Sequence, residues 1–178
     1  MEKKNYSLFN LPEEVKFCKK CVISNQRPRI TFDNEQICSA CRYFDYKKTI
    51  DWNKREEELK KLLDKYRSNN ENYDCVVPSS GGKDSAYVAH ELKHKYGMNP
   101  LTVTWSPLKY TDIGWDNLTN FNNSGFDVIM GMPQGDIKRR LSKQALIEMG
   151  DPFQGFIYGQ VLFPVTIAIK FGIKLIIN

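Results

Sequence analysis

Two clusters of residues in this 178-residue chain have the types and spacing to do chemistry. The first is the run Ser79-Ser80-Gly81-Gly82-Lys83-Asp84-Ser85, between the apolar stretch DCVVP and the helical pattern AYVAHELKHKYG. Hydroxyls, an ammonium and a carboxylate stand beside two glycines that let the backbone turn tightly and approach a ligand; at a helix N-terminus these make a phosphate cradle. The second cluster holds four of the five cysteines, Cys18-Lys19-Lys20-Cys21 and Cys38-Ser39-Ala40-Cys41, with sixteen residues between the pairs. Two C-x2-C pairs at that separation complete a tetrahedral soft-ligand site suited to zinc. Four thiolates leave no open position for water, so the metal would be structural. Two disulfides are the competing arrangement, and a cytoplasmic chain disfavours them. Cys75, inside DCVVP, reads as a buried small hydrophobe.

Spacing decides which cradle the first run can be. A Walker A loop puts a glycine where Val77 stands and a Ser or Thr where Asp84 stands, and the run is not G-x-G-x-x-G either. A P-loop kinase and a dinucleotide oxidoreductase are therefore disfavoured.

The elements that must position these clusters follow from hydrophobic patterning. With 41% hydrophobic residues the chain can build a real core. It has no apolar run of the roughly 18 residues that cross a bilayer, and its start, MEKKNYSLFNLPEEVKF, lacks a signal-peptide core, so a cytoplasmic protein is expected. The net charge of +5 is uneven: residues 1–70 carry 16 Lys and Arg against 11 Asp and Glu, and residues 71–178 carry ten of each. Such a bias suits a phosphorylated ligand, a nucleic acid or a plain solvated surface.

Residues 1–50 read as a four-cysteine zinc knuckle or ribbon, with turns and a short strand between the pairs and with metal supplying much of its stability. Residues 51–72 read as a connecting helix, with Leu59, Leu62, Leu63 and Tyr66 at helical spacing and Asn53 and Glu56 placed as N-cap and third-position partner, followed by the loop RSNNEN. From residue 73 onward strands alternate with helices: DCVVP, a helix over 83–96, LTVTW, a helix over 113–123, FDVIM, helices over 136–149 and 158–171, and IKLIIN. That order predicts an α/β domain built on a parallel, doubly wound sheet covered on both faces. The cradle then lies at the carboxyl edge of the first strand, where open α/β sheets bind ligands.

Residues 80–85, SGGKDS, resemble the S-G-G-x-D-S signature of the ATP pyrophosphatase, or PP-loop, superfamily, which has the adenine nucleotide alpha hydrolase-like fold. The resemblance implies that Ser80, Gly81, Gly82 and Ser85 grip the pyrophosphate of ATP, that Asp84 lies near Mg2+, and that cleavage falls between the α and β phosphates. The paired C-x2-C motifs, VVPSSGGKDS, VTWSPLKYTDIGWDNL and GDPFQGFIYGQ together resemble the N-acetyl sugar amidotransferases of bacterial surface-sugar pathways, including those acting on pseudaminic acid. This resemblance covers nearly the whole chain. It implies that an acetamido oxygen is adenylated and replaced by ammonia, with a separate glutaminase subunit as the ammonia source, an acetamido sugar as substrate, and ATP, Mg2+ and Zn2+ as cofactors.

On this reading Lys83, Asp84 and Asp112 are the candidate catalytic residues. Lys83 joins the cradle, and the backbone of Val103, Thr104 and Trp105 contacts nucleotide, Trp105 being equally suited to a core. Thr111, Gly114, Trp115 and Asn117 are expected to line the substrate pocket with Arg139 and Gln160. The alternative for the 111–117 stretch is a plain helix start with Asp112 as cap and Trp115 packed inward. Basic residues 138–140 near a helix start oppose the helix dipole, which suits an anionic ligand or a solvated face. His90 and His94 share one helix face and read as a surface pair. Members of the resembled family continue well past IKLIIN, so the ATP-binding domain is expected to be incomplete. The competing functions are a tRNA-thiolating PP-loop enzyme, which the basic first third would suit, and a non-catalytic zinc- and ATP-binding subunit. Neither a membrane nor a nucleic acid is an expected partner under the main reading.

Overall fold

A computed structural model of the chain describes residues 12, 14–68 and 72–178. Residues 69–71 of the expected RSNNEN loop lie outside the described residues, as does most of the stretch read for a leader segment. The chain forms two compact units that divide between Glu56 and Glu57, inside the helix expected to connect them.

In the first unit each cysteine pair sits at a short antiparallel bridge, Phe17 with Ser24 and Phe32 with Cys38. The second pair opens a helix that patterning did not anticipate, α1 (Ser39–Lys47), with the Cys38 sulfur in the N-cap position accepting the Cys41 N–H. The next helix, α2 (Trp52–Tyr66), begins one residue before the expected cap. Asp51 is the cap in fact: its carboxylate accepts the Lys54 N–H at 3.0 Å, and Asn53 lies within the first turn.

The second unit is α/β. Its strands β1 (Cys75–Pro78), β2 (Pro100–Trp105) and β3 (Val128–Gly131) pair in parallel in the order β1-β2-β3. Between them run α3 (Lys83–His90), which widens into a π-helical turn over Glu91–Lys95, and α4 (Asp112–Asn123); α5 (Gly135–Met149) and α6 (Gln154–Lys170) follow β3. The expected last strand is reduced to an isolated parallel bridge, Ile176 to Val76, on the side of β1 away from β2. Strand order thus reverses direction at β1, and the loop after β1 is where an open α/β sheet forms its ligand crevice.

Alternation along β1 explains the two cores. Cys75 and Val77 face Leu63, Ala89, Leu92, Phe121 and Phe126 from α2, α3, α4 and their connections. Val76 faces the other way, with Leu101 and Val103 against Ile167 and Ala168 of α6. Each wholly buried aliphatic side chain contributes about 1.5–3 kcal/mol, so both faces hold the sheet in place beneath the β1 loop. Among the described residues no helix is long and apolar enough to cross a membrane.

Candidate functional site

The loop after β1 is held by its own hydroxyls. Ser79 is buried; its N–H donates to the Val103 carbonyl at 2.9 Å and its carbonyl accepts the Thr104 hydroxyl at 2.6 Å, which ties the loop's root to β2. Its hydroxyl accepts the Gly81 N–H at 3.4 Å and stands 3.2 Å from the Ser85 hydroxyl, which in turn reaches the Gly82 carbonyl at 3.2 Å. Gly81 has φ +76°, and a Cβ there would lie 2.8 Å from the Leu118 Cα, so the turn passes directly over the α4 backbone. Only glycine meets both conditions. Gly82 then occupies the N-cap position of α3 with no side-chain cap bond, which leaves the helix's first N–H groups without a capping side chain.

This loop forms one wall of a cavity of about 550 Å³, the size of nucleotide and drug-like ligand sites. Of the residues singled out from sequence, Ser80, Gly82, Lys83, Asp84, Ser85, Val103, Trp105 and Gln160 line it. Gly81 lies beneath the turn, and buried Thr104 braces Ser79. Pro78, Asp84, Ser85 and Gln160 also border a second, aliphatic cavity of about 670 Å³ that reaches Ile176.

Trp105 lines the cavity and is half-buried. Its indole packs on Phe163 with centroids 5.2 Å apart and reaches α6, where a Cβ on Gly159 would come within 2.0 Å of its ring nitrogen. Gly131, paired with Trp105 in the sheet, likewise makes room for both rings.

The remaining expected site residues do not line this cavity. Thr111, not Asp112, caps α4, its hydroxyl accepting the Gly114 N–H at 3.1 Å; Asp112 is the exposed first residue of the helix. Trp115 is half-exposed rather than packed inward, and its ring lies edge-on against Tyr110 at 5.4 Å. Asn117 is exposed, its backbone beneath Gly81. Arg139 is exposed and paired with Asp136 one turn back. Its neighbour Lys138 is the residue that folds inward, donating to the Ser106 carbonyl just past β2, and burial lowers its pKa. Pro78, Ser79, Pro107, Tyr110 and Phe156 also line the cavity, though none was among the expected site residues. Each lies inside one of the quoted motifs, but which side chains of those motifs meet is decided by tertiary packing.

The four cysteines of the first unit converge. The Sγ atoms of Cys18, Cys21, Cys38 and Cys41 all lie within 4.8 Å of one another, and those of Cys21 and Cys38 are 3.7 Å apart. Bonds of about 2.3 Å from a central zinc put tetrahedral sulfurs about 3.8 Å apart, so the donor set fits that ion. The N–H groups of Cys38 and Lys20 point at the Cys18 sulfur, at 3.2 and 3.3 Å. Burial raises the Cys18 thiol, but the backbone N–H groups of Cys38, Lys20 and Cys21 outweigh it and bring it down to about 6. Cys41, by contrast, is pushed up to about 12 by burial and by its bonds to the other three sulfurs. One thiolate excludes the next unless a cation joins them, and this cluster can therefore hold a metal such as zinc. The Cys21 and Cys38 sulfurs stand well beyond the length of a disulfide bond, so the arrangement is that of a ligand set. It is also the one set of three or more His, Cys, Asp or Glu among the described residues arranged to hold a metal; His90 and His94 stack on each other at 4.5 Å.

No family model matches the chain. An uncharacterized protein of Methanocaldococcus jannaschii is 30% identical over 87 residues, 48% of this chain and 31% of that protein. The match therefore spans under a third of that relative's own length.

Proposed function

We propose that this chain is the ATP-binding part of a PP-loop amidotransferase that adenylates the acetamido oxygen of an N-acetyl sugar and exchanges that oxygen for ammonia. The observation that carries the reading is the Ser80–Ser85 turn at the carboxyl edge of β1. Its hydroxyls and glycine backbone open, with the N-terminus of α3, onto a cavity large enough for a nucleotide.

On this reading the N–H groups of the turn and of α3, with the Ser80 and Ser85 hydroxyls and Lys83, hold the β and γ phosphates. Mg2+, held by Asp84, would neutralise phosphate charge. The acetamido oxygen attacks the α phosphorus and pyrophosphate leaves. Ammonia from a glutaminase partner then adds to the activated carbon, AMP departs with the former amide oxygen, and loss of a proton leaves the amidine. Positioning does most of this work, because an adenylated oxygen is already a good leaving group. Phe156 and Gln160 of α6, with Trp105, also line the cavity. The zinc lobe's role is structural.

Cys75 weighs against tRNA thiolation: it is fully buried, and burial, with the nearby Asp74 charge adding, pushes its thiol up to about 12. It offers no nucleophile for carrying sulfur. Incubation with ATP, Mg2+, ammonium and a panel of acetamido sugars, read by mass spectrometry, tests the proposal. A product whose mass matches an oxygen replaced by NH supports it; unmodified sugars throughout, with ATP intact, overturn it.

A further inference from the structure

Of the basic residues 138–140, Arg139 and Arg140 are exposed and Lys138 is half-buried. Lys138 closes the first turn of α5, its N–H donating to the Gln134 carbonyl at 3.1 Å, and a positive charge there opposes the helix dipole. The acid of that turn, Asp136, pairs with Arg139, and among the described residues no carboxylate pairs with Lys138. Burial disfavours its charged form and lowers its pKa. Dipole, missing counter-ion and burial all work against a lysine here. What the side chain gains is one charge-assisted bond, to the Ser106 carbonyl.

That carbonyl stands where the sheet ends and the cavity wall begins. Ser106 is buried directly after β2, and its N–H donates to the Gly131 carbonyl of β3 at 2.9 Å. Its neighbours Trp105 and Pro107, with Tyr110 beyond, line the cavity. Among the described residues no hydrogen bond joins Pro107–Tyr110 to the sheet or to α5, so the hold on Ser106 is what fixes the start of this segment. We propose that Lys138 is a positioning residue for the nucleotide: by holding the Ser106 carbonyl from α5, it sets where Pro107 and Tyr110 stand in the cavity wall, without itself touching ligand. The inference rests on the nucleotide reading of that cavity and adds a residue that acts on one wall only. The Ser80–Ser85 turn is rooted separately, through Ser79 to Val103 and Thr104.

Lys138→Met keeps the aliphatic stem and removes the ammonium, whereas Lys138→Arg keeps a charged donor. Titration calorimetry with ATP and, separately, with inorganic pyrophosphate, both with Mg2+, is run on wild type and both variants beside ligand-free thermal melts. Lys138→Met should lower ATP affinity roughly tenfold, and Lys138→Arg should stay within about threefold of wild type. Pyrophosphate affinity should not change in either. The Lys138→Met chain should melt at or above the wild-type temperature, because the three opposing effects leave with the charge. A brace for the fold alone would lower the melting temperature and weaken both ligands together. That result, unchanged ATP affinity, or an arginine variant as weak as Lys138→Met overturns the role. If the wild-type chain binds neither ligand, the nucleotide reading itself falls.

Discussion

The hydroxyls of Ser79 and Ser85 lie 3.2 Å apart, bridging the turn from its buried root to the first turn of α3. Both border the cavity, but Ser79 is the buried member, tied to β2 and holding Gly81, whereas Ser85 is only partly buried. Ser79→Ala strips the Gly81 N–H and the Ser85 hydroxyl of their buried partner. It should cost about 1–3 kcal/mol in urea unfolding, whereas Ser85→Ala should lower nucleotide affinity with a smaller loss of stability. Equal stability losses for the two variants would contradict this division.

Gly81 and Gly82 are adjacent and differ in what they tolerate. At Gly81 an alanine meets both a positive φ and the Leu118 backbone; at Gly82 its Cβ meets only the Ser80 hydroxyl, at 3.3 Å. Gly81→Ala should destabilise by about 1–3 kcal/mol from backbone strain alone, and by more through the collision. Gly82→Ala should stay within about 1 kcal/mol of wild type. Thermal melts of the two variants side by side decide it.

Gly159 exists for the sake of Trp105. Placing a methyl where the indole lies must push that ring off α6, so Gly159→Ala should destabilise by about 1–3 kcal/mol, as overpacking does. This is the reverse of what alanine does in an ordinary helix interior. Indole fluorescence should shift with the loss of stability. A more stable variant would show that the ring does not rest there.

The cysteine cluster predicts one zinc per chain, lost on Cys38→Ser and kept on Cys75→Ser, as elemental analysis would show. Acidification should release the metal, because the ligands bind as thiolates. With the metal chelated at pH 8, Cys75 should alkylate only after denaturation, since it is fully buried and its raised pKa keeps it protonated while thiolate is the reactive form. Folding raises the Cys75 pKa above its ordinary 9.0, so its contribution to stability is complete below that pH and is lost as pH climbs towards 12. The urea midpoint should fall over that window in wild type and less in Cys75→Ala.

Much of this arrangement was legible in the residues. The apolar runs DCVVP, LTVTW and FDVIM each contain a strand, because parallel strands covered on both faces need no alternation. Cysteine spacing alone brought four sulfurs together, since two short knuckles admit few other arrangements. What sequence could not give was long-range. IKLIIN has the composition of a strand but makes only one bridge, because pairing depends on a neighbour that composition does not specify. Asp112 looked like a cap or a catalytic acid, yet Thr111 one residue earlier offers a hydroxyl at the right backbone angle. Tyr110 and Phe156 are 46 positions apart and meet only because β2 and α6 bring them to one cavity.

The fate of ATP tests the central claim most directly. Chain supplied with ATP, Mg2+, ammonium and an acetamido sugar should release AMP and pyrophosphate, and Asp84→Ala and Ser85→Ala should abolish or sharply reduce that release while remaining folded. Release of ADP and orthophosphate, or wild-type turnover in both variants, would contradict the assignment of the Ser80–Ser85 turn as the grip on the leaving pyrophosphate.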